Sequence, residues 1–240
     1  MNIFLAGASG VVGRRLVPLL RDSGHMVTGT TRSLEKAAAL EALGVNGVVV
    51  DMFDARAVLK AMNSAHPEVV IHQLTDLPDT IDPQTYPAAI ARNSRVRAEG
   101  TANLVKSALM TGARRIIAQS VAFAYAPGGE PHDECAPLDH AGTGTRRALV
   151  EGIVALEKSV IGAAGVDGIV LRYGYFYGPG TWDMSPTRKP PLHVDAAAHA
   201  AFLAVTRGAP GIYNIAEDDG TVLIDKARQG LGFDPAFRSR

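Results

Sequence analysis

The fold is decided by one stretch near the start of the chain, where an apolar run leads into three glycines: Ile3-Phe4-Leu5-Ala6-Gly7-Ala8-Ser9-Gly10-Val11-Val12-Gly13. The apolar run predicts a buried strand, and the amphipathic pattern over 11–21 predicts a helix. Gly7 allows a tight turn, Gly10 lets a phosphate approach the backbone, and Gly13 lets the helix pack closely on the strand. Since the first amides of a helix attract anions, the stretch predicts a pyrophosphate-binding loop.

The alternation of strand and helix continues along the chain. Further strands are expected at 26–30, 48–50, 69–71, 115–118, 169–172 and 212–215, and helices at 34–43, 55–62, 88–110, 146–161 and 196–205. Short apolar strands separated by helices are typical of a parallel sheet covered on both faces. We therefore predict an α/β fold, a Rossmann-type doubly wound parallel sheet. Residues 1–172 would form the dinucleotide-binding core, and 173–240 small substrate-lobe elements of the same compact unit.

Composition and charge exclude several classes of protein. A chain of 240 residues with 47% hydrophobic and 20% charged residues fits one α/β domain. Its 24 basic residues balance 24 acidic ones, which disfavours nucleic acid and anionic membranes as partners. The single cysteine, Cys135, excludes a disulfide framework, and no signal peptide or membrane span is recognisable. We therefore expect a soluble, cytoplasmic protein.

The residues after the second strand indicate which dinucleotide is bound. In NAD-binding proteins an acidic residue about 20 positions after the glycines bonds the adenosine ribose. Here the segment Gly29-Thr30-Thr31-Arg32-Ser33 contains none. Arg32 can instead hold a 2′-phosphate through two hydrogen bonds, which favours NADP, with NAD possible. Alternatively, Arg32 is solvated and Ser33 only caps the next helix. Asp51, after the third strand, could bond the adenine amino group or simply end a strand.

Ordered motifs over most of the chain resemble the extended short-chain dehydrogenase/reductase superfamily, the group of NAD-dependent epimerases and dehydratases. Besides the glycine loop they are Val69-Val70-Ile71-His72, Asn93 with Gly100-Thr101-Ala102-Asn103-Leu104, Arg115-Ile116-Ile117-Ala118-Gln119-Ser120 with Tyr125, Leu171-Arg172, Tyr177-Gly178-Pro179-Gly180, His193-Val194-Asp195, Tyr213-Asn214 and Leu231-Gly232-Phe233-Asp234-Pro235. The resemblance implies an oxidoreductase or epimerase that binds NAD(P). It also implies that Asn93 bonds the backbone near the site.

The proton-transfer pair of that family is missing. Family members use a tyrosine and a lysine one helical turn later, where the lysine lowers the phenol pKa from about 10. None of the six tyrosines has a lysine four positions later. If Glu157 matches the family glutamate, Leu149 and Ile153 occupy the positions of the pair. The family serine is displaced too, because alignment on Tyr125 puts Ser120 one residue early. The chain therefore resembles an atypical member.

The substrate lobe is reduced. Only residues 182–192 separate the Tyr177 loop from His193, where members of the family carry helices that hold a sugar nucleotide. We therefore expect a small substrate, in a pocket that is shallow or completed by a second subunit, so that a homodimer is possible.

The remaining candidates lie at the carboxyl ends of the predicted strands, where open sheets bind ligands. The candidate catalytic residues are Ser120, Tyr173 and Tyr175, although both tyrosines could instead pack against the nicotinamide or the loop. The predicted cofactor-binding residues are Gly7, Ser9, Gly10, Val11, Val12, Gly13, Arg32, Ser33, Asp51, Leu74, Ser120 and Tyr173.

Other polar residues have a structural and a functional interpretation. His193 and Asp195 could be a general base pair, but the resemblance implies that the histidine braces a strand. His72 has no second ligand at suitable spacing, so no metal site is predicted. Four basic residues could recognise an anionic substrate or simply be solvated: Arg146, Arg147, Arg188 and Lys189.

These observations favour NADP-dependent hydride transfer to or from a small carbonyl or hydroxyl compound. Tyr173, Ser120 or a bound water would then supply the proton. The alternative is a non-catalytic dinucleotide-binding protein, a redox sensor or scaffold.

Overall fold

The computed structural model describes residues 1–78, 80 and 82–239, and its strands and helices alternate along the chain. The strands are β1 (Asn2–Ala6), β2 (Met26–Thr31), β3 (Asn46–Val49), β4 (Val69–His72), β5 (Arg115–Val121), β6 (Asp167–Tyr173), β7 (Tyr175–Tyr177), β8 (Pro191–His193) and β9 (Gly211–Ile215). The helices are α1 (Gly13–Asp22), α2 (Leu34–Ala42), α3 (Ala55–Ala65), α4 (Tyr86–Arg95), α5 (Thr101–Thr111), α6 (Gly144–Ile161), α7 (Val194–Ala204) and α8 (Asp225–Leu231). A π-helical turn, Val96–Gly100, joins α4 to α5.

Seven strands form one parallel sheet in the order β3-β2-β1-β4-β5-β6-β9. The chain passes from β1 to β2 and β3 on one side and then returns to β4 on the other side of β1. This reversal opens a crevice at the carboxyl ends of β1 and β4, the usual ligand site of doubly wound sheets. The predicted fold class is confirmed, and the crevice is where the glycine loop ends.

The core lies on both faces of the sheet because successive side chains of a strand point in opposite directions. Ile3 and Leu5 of β1 pack with α1 and α7 on one face. Phe4 of β1 and Val70 of β4 pack with α3 and α5 on the other. Burial on both faces explains why the central strands are continuously apolar.

Several details differ from the sequence prediction. The third strand covers Asn46–Val49 instead of 48–50, because this edge strand is partly exposed and lacks a clear apolar run. The long helix expected at 88–110 contains the π-helical turn, for which no sequence signal was identified. The polar tail contains α8, whose buried residues are only Ala227 and Leu231. An amphipathic pattern this short does not stand out in a polar sequence.

The C-terminal part of the chain completes the sheet. β9 pairs with β6, with Ile169 opposite Gly211, while β7 and β8 form a separate parallel pair. The division at residue 172 stays a prediction. Among the helices of the described residues, none has the length and apolar character needed to cross a membrane.

Candidate functional site

The three glycines of the loop serve different purposes. Gly7 has a φ of +86°, and a Cβ on it would lie 2.6 Å from the carbonyl oxygen of Gln73. A Cβ on Gly13 would overlap the carbonyl oxygen of Gly7 and lie 2.6 Å from that of Ala8. Gly10 is exposed, and its Cβ would meet only the Gly7 oxygen, at 3.3 Å. Gly7 and Gly13 are therefore required by packing, whereas Gly10 leaves the backbone open to a ligand.

Helix α1 starts later than the sequence pattern indicates. Its first residue is Gly13, so half-buried Val11 and buried Val12 lie in the turn that leads into it. No acidic residue occupies the first turn of the helix. The free amides at this end therefore face the crevice without a competing carboxylate, as a pyrophosphate requires.

Hydroxyl groups gather at the carboxyl end of β2. Ser9 Oγ donates to Thr31 Oγ1 at 3.1 Å, and the backbone amide of Ser33 donates to the same oxygen at 3.4 Å. Ser33 Oγ also accepts from the amide of Lys36, so it caps α2 as well. The fold thus brings together two loops that are 22 positions apart in sequence.

Arg32 lies beside these hydroxyls and remains available to a ligand. Its side chain is 69% exposed, and Nη2 lies 3.2 Å from Oδ1 of Asp76. Arg92 approaches the other oxygen of the same carboxylate at 3.5 Å. Asp51 is exposed at the end of β3, where Oδ1 accepts from the amide of Phe53 at 2.9 Å. Arg32 thus stands at the β2 end of the crevice, held by an exposed ion pair that contributes little.

Sequence reasoning missed Gln73, which directly follows β4. Its Nε2 donates to the hydroxyl of Tyr173 at 3.4 Å, while its buried Oε1 has no partner within the described residues. The signal was available, since a polar residue directly after a buried strand lies at the ligand edge of the sheet. Leu74, next in the chain, is half-buried. Exposed amides, clustered hydroxyls and an unpaired amide oxygen suit a dinucleotide lying along the crevice.

Two polar residues that contact the segment after β4, His72 and Asn93, have structural roles. His72 Nδ1 accepts from the amide of Leu74 at 3.1 Å, so Nε2 donates to Thr101 at 2.9 Å. Burial lowers the pKa of His72 to about 3, with a smaller effect from Arg97. The ring is neutral and both nitrogens are used, which leaves none for a metal. Asn93 Oδ1 accepts from the amide of Asp76 at 2.9 Å, which confirms its backbone-bonding role.

Ser120 is part of a buried network beneath α6. Its hydroxyl has no exposed surface and donates to Oε1 of Glu157 at 2.7 Å. Glu157 also receives the guanidinium of Arg172, with Nη2 to Oε2 at 2.6 Å. Arg172 in turn donates to the Tyr125 hydroxyl at 2.9 Å, and Tyr125 donates to Asn214 at 2.6 Å. This geometry gives the Ser120 hydroxyl a partner on α6, and its catalytic and cofactor-binding roles stay predictions.

The two candidate tyrosines lie in different surroundings. Tyr173 is 1% exposed, and its hydroxyl donates to the carbonyl of Ala197 at 3.2 Å. Burial raises the pKa of Tyr173 far above its usual range, which argues against the predicted role as acid. Tyr175 stands at the rim, stacked on Phe123 at 3.8 Å with the Arg188 guanidinium 4.5 Å from its ring centroid. Tyr175 is therefore the one predicted acid near the surface, although burial raises its pKa too.

The positions of the missing pair lie in a buried apolar cluster between α4 and α6. This α4–α6 cluster consists of the buried residues Ile90, Val121, Leu149 and Ile153, with half-buried Tyr86 and Phe123 packed against them. Leu149 and Ile153 pack closely, and neither can exchange a proton. The wall of the site where the family carries its acid is hydrophobic here.

A strap formed by residues 178–188 crosses the crevice. Gly180 lies over the start of α1, where a Cβ would be 3.3 Å from Arg14 Nη2. Further along, Trp182 Nε1 donates to the carbonyl of Pro78 at 2.9 Å. The strap therefore runs from the glycine loop to the segment after β4, and it restricts access of water to the crevice.

The remaining polar candidates hold loops in place. Arg146 pairs with Asp139 at 2.9 Å and donates to the carbonyls of Phe123 and Tyr125, while Arg188 pairs with Asp183 at 2.6 Å. These contacts engage both arginines, so neither is simply a solvated surface residue. The other basic candidates are exposed, Arg147 paired with Glu151 and Lys189 3.7 Å from Asp219.

His193 and Asp195 form no base pair for catalysis. His193 Nδ1 accepts from the amide of Asp195 at 3.2 Å and so caps α7. Asp195 binds Nε of Arg15 on α1 at 2.7 Å. Both therefore act as the brace that the resemblance implies.

Comparison with known proteins accounts for this architecture. Residues 3–209 match the model of the NAD dependent epimerase/dehydratase family. A Streptomyces protein named 3-diazoavenalumate denitrifying reductase is 40% identical over 244 residues, which span 91% of this chain and 77% of that protein.

Solved structures share the fold at low identity. A UDP-glucose 4-epimerase from Thermotoga maritima, with UDP-glucose, superposes with a TM-score of 0.77 at 17% identity and covers 99% of this chain and 94% of its own. The Bordetella bronchiseptica enzyme WbmH in complex with NAD+ gives 0.71 at 19% identity over 90% and 75%. The chain is an NAD(P)-binding protein of the oxidoreductase and epimerase type, its cofactor is a nicotinamide dinucleotide, and it belongs to the NAD dependent epimerase/dehydratase family.

Proposed function

We propose that this protein is an NADPH-dependent reductase whose acceptor needs no proton from the enzyme, and that this acceptor is an aryl diazonium group. The observation that carries the proposal is the apolar character of Leu149 and Ile153 in the α4–α6 cluster. Reduction of a carbonyl builds negative charge on oxygen, which an acid must neutralise. A site with no acid at these two positions suits an acceptor that becomes neutral on reduction.

A diazonium ion meets this requirement. Addition of a hydride to its terminal nitrogen, rupture of the aryl–nitrogen bond and loss of N2 leave hydrogen on the aryl carbon. Atoms and charge balance without a proton, since a cation and a hydride give two neutral products. The reduced dinucleotide supplies the hydride when bound. The name of the Streptomyces relative, a denitrifying reductase of a diazo compound, supports this class of acceptor.

The residues of this chain then bind the cofactor and shield the acceptor from water, and they exchange no proton. Backbone amides of Val11 and Val12 and of the first residue of α1 hold the pyrophosphate, since the amide of Gly10 already donates to the carbonyl of Gly7. Gln73 offers its free Oε1 to a donor group of the cofactor. The strap excludes water, which would otherwise compete for the electrophile.

NADP is the proposed form of the cofactor. Arg32 is exposed beside the hydroxyls of Ser9 and Ser33, a set that suits a 2′-phosphate, and residues 29–33 supply no carboxylate. Asp51 is the proposed contact for the adenine amino group. The homodimer allowed by the small lobe remains a prediction.

The decisive experiment uses two acceptors of matched shape. Purified protein is incubated with NADPH and either 4-carboxybenzenediazonium or 4-carboxybenzaldehyde. We expect one benzoate and one N2 for each NADPH oxidised with the diazonium, and no turnover of the aldehyde. The Gly10→Val variant and a protein-free sample control for the spontaneous reaction of diazonium salts with NADPH.

Two results would contradict the proposal. Reduction of the aldehyde alone would show that an acid is present after all. Tight NADPH binding with turnover of neither acceptor would favour the non-catalytic sensor or scaffold.

A further inference from the structure

A carboxylate reaches the β2 end of the crevice from the β4 side. Residues 29–33 contain no acidic residue, and Arg32 directly follows β2. Asp76 lies in the segment after β4, and β2 and β4 pair with opposite sides of β1. Arg32 Nη2 nevertheless lies 3.2 Å from Oδ1 of Asp76. The pair therefore joins the two sides of the crevice across the carboxyl end of β1, where the glycine loop begins.

Contacts of the backbone fix the position of Asp76 independently of Arg32. The amide of Asp76 donates to Oδ1 of Asn93 on α4 at 2.9 Å, and Asn93 is 1% exposed. Further along the same segment, the carbonyl of Pro78 accepts from Trp182 Nε1 at 2.9 Å. Side chains of two other elements thus hold the segment. The carboxylate of Asp76 therefore stays at the β2 end of the crevice when Arg32 turns away from it.

The side chain of Arg32 is free to exchange this partner for another anion. It is 69% exposed, whereas that of Asp76 is 24% exposed. Arg92 approaches the other oxygen of Asp76 at a longer distance, 3.5 Å, so Arg32 is the closer cation. An exposed ion pair contributes little to stability, and the guanidinium can leave the carboxylate at small cost. Arg32 can therefore turn from Asp76 to a ligand.

A 2′-phosphate needs the same guanidinium that Asp76 holds. Arginine binds phosphate and carboxylate through the same fork of N–H groups, so the bonds made to one are lost to the other. The phosphate must displace Oδ1 of Asp76 from Arg32. Its charge, about two negative units near neutral pH, then lies beside the displaced carboxylate. NAD carries a hydroxyl in that position and meets neither cost.

We infer that Asp76 sets the preference between NADP and NAD, because its carboxylate competes with the 2′-phosphate of NADP for Arg32. The inference rests on the recognition of NADP by Arg32 proposed above. Loss of the negative charge of Asp76 widens the preference for NADP, whereas loss of Arg32 narrows it. The two residues therefore act on dinucleotide choice in opposite directions.

The test measures the affinities of NADP+ and NAD+ by calorimetry at low ionic strength, where exposed charges are screened least. Asp76→Asn keeps the shape of the side chain and removes its charge. It should tighten NADP+ binding about fivefold, the scale of an exposed ion pair, and leave NAD+ within about twofold. Asp76→Ala should give the same gain, whereas Asp76→Glu, which keeps the charge, should give none. If one of the uncharged variants fails to fold, the other decides.

An exposed ion pair on α8 provides the matched control. Asp218 meets Arg228 of α8 at 3.0 Å, and Asp218→Asn removes the same charge from the chain as Asp76→Asn. It should change neither affinity. Equal gains in NADP+ affinity from Asp218→Asn and Asp76→Asn would overturn the inference, because the net charge of the protein would then explain the effect.

The Arg32→Ala background separates competition for Arg32 from a direct effect of the carboxylate. In that background, Asp76→Asn should tighten NADP+ by less than about twofold, because no guanidinium remains to be released or to hold the phosphate beside Asp76. A gain of the same size with and without Arg32 would overturn the inference. Weaker NAD+ binding in Asp76→Asn would overturn it as well, since the carboxylate would then bind a ribose hydroxyl.

The failure of this inference is distinguishable from the failure of the proposed function. NADP+ binding that is weakened by Arg32→Ala but unchanged by Asp76→Asn would refute only the role of Asp76. Dependence on both residues without diazonium reduction would refute only the proposed reaction. Unchanged NADP+ binding in Arg32→Ala would refute the proposed 2′-phosphate site and this inference with it.

Discussion

The two ends of the ligand crevice differ in polarity. At the β1 and β2 end, exposed backbone amides, hydroxyls and Arg32 present donors to an anion. At the β5 and α6 end, Leu149 and Ile153 present hydrocarbon where the family carries a proton-transfer pair. Because separate strands carry these ends, cofactor binding can persist while the chemistry changes. The comparison teaches that an intact glycine loop says little about the reaction.

The largest effect is expected beneath the reaction end. Arg172→Met removes one partner of the buried pair with Glu157 and leaves a carboxylate without its counter-charge. We expect the free energy of unfolding to fall by about 3–5 kcal/mol, measured by denaturant titration. Arg147→Met is the control, since it breaks only the exposed pair with Glu151 and should cost at most about 1 kcal/mol. Equal losses in the two variants would mean that the network is not a stabilising element.

The next effect lies at the cofactor end. Gly10→Val places two methyl groups where the pyrophosphate must approach, while its Cβ meets only one backbone oxygen at 3.3 Å. Affinity for NADPH should fall about tenfold to a hundredfold, because overpacking costs about 1–3 kcal/mol. Calorimetry measures the affinity, and thermal unfolding of the free protein should change little. Unchanged affinity for NADPH would show that the phosphate site lies elsewhere.

A smaller effect concerns the choice of dinucleotide. Arg32→Ala should narrow the difference between NADP and NAD binding by about 1–3 kcal/mol, the scale of charge-assisted hydrogen bonds to phosphate. Arg92→Ala is the matched control. Arg92 approaches the same carboxylate of Asp76, but it lies on α4 and not directly after β2. If the unmodified protein binds both dinucleotides equally, Arg32 does not recognise the phosphate.

The smallest effect is expected from the phenols. Tyr173→Phe should lower the free energy of unfolding by about 1 kcal/mol, because the carbonyl of Ala197 loses its donor. Tyr175→Phe should leave the turnover of 4-carboxybenzenediazonium within about twofold, whereas positioned proton transfer contributes about 10²–10⁴ in rate. A tenfold or larger drop in the turnover of either variant would show that a phenol is the acid. The two ends of the crevice would then no longer differ in the way described.

Much of the site was accessible to sequence reasoning because it depends on local order. The glycine loop, the absence of an acid after β2 and the apolar residues at 149 and 153 are read directly from neighbouring residues. The roles of Ser120 and Tyr173 were not accessible. Whether a hydroxyl at the end of a strand faces the crevice or a helix depends on which elements cover that face, and here α6 and α7 occupy both hydroxyls.

The sequence by itself determined the parallel sheet, the glycine loop and the loss of the proton-transfer pair, since strand length, glycine spacing and residue type are local properties. Only the tertiary structure decided that Gln73 Oε1 has no partner within the described residues and that the strap crosses the crevice. The physical reason is that burial and pairing arise between elements distant in sequence.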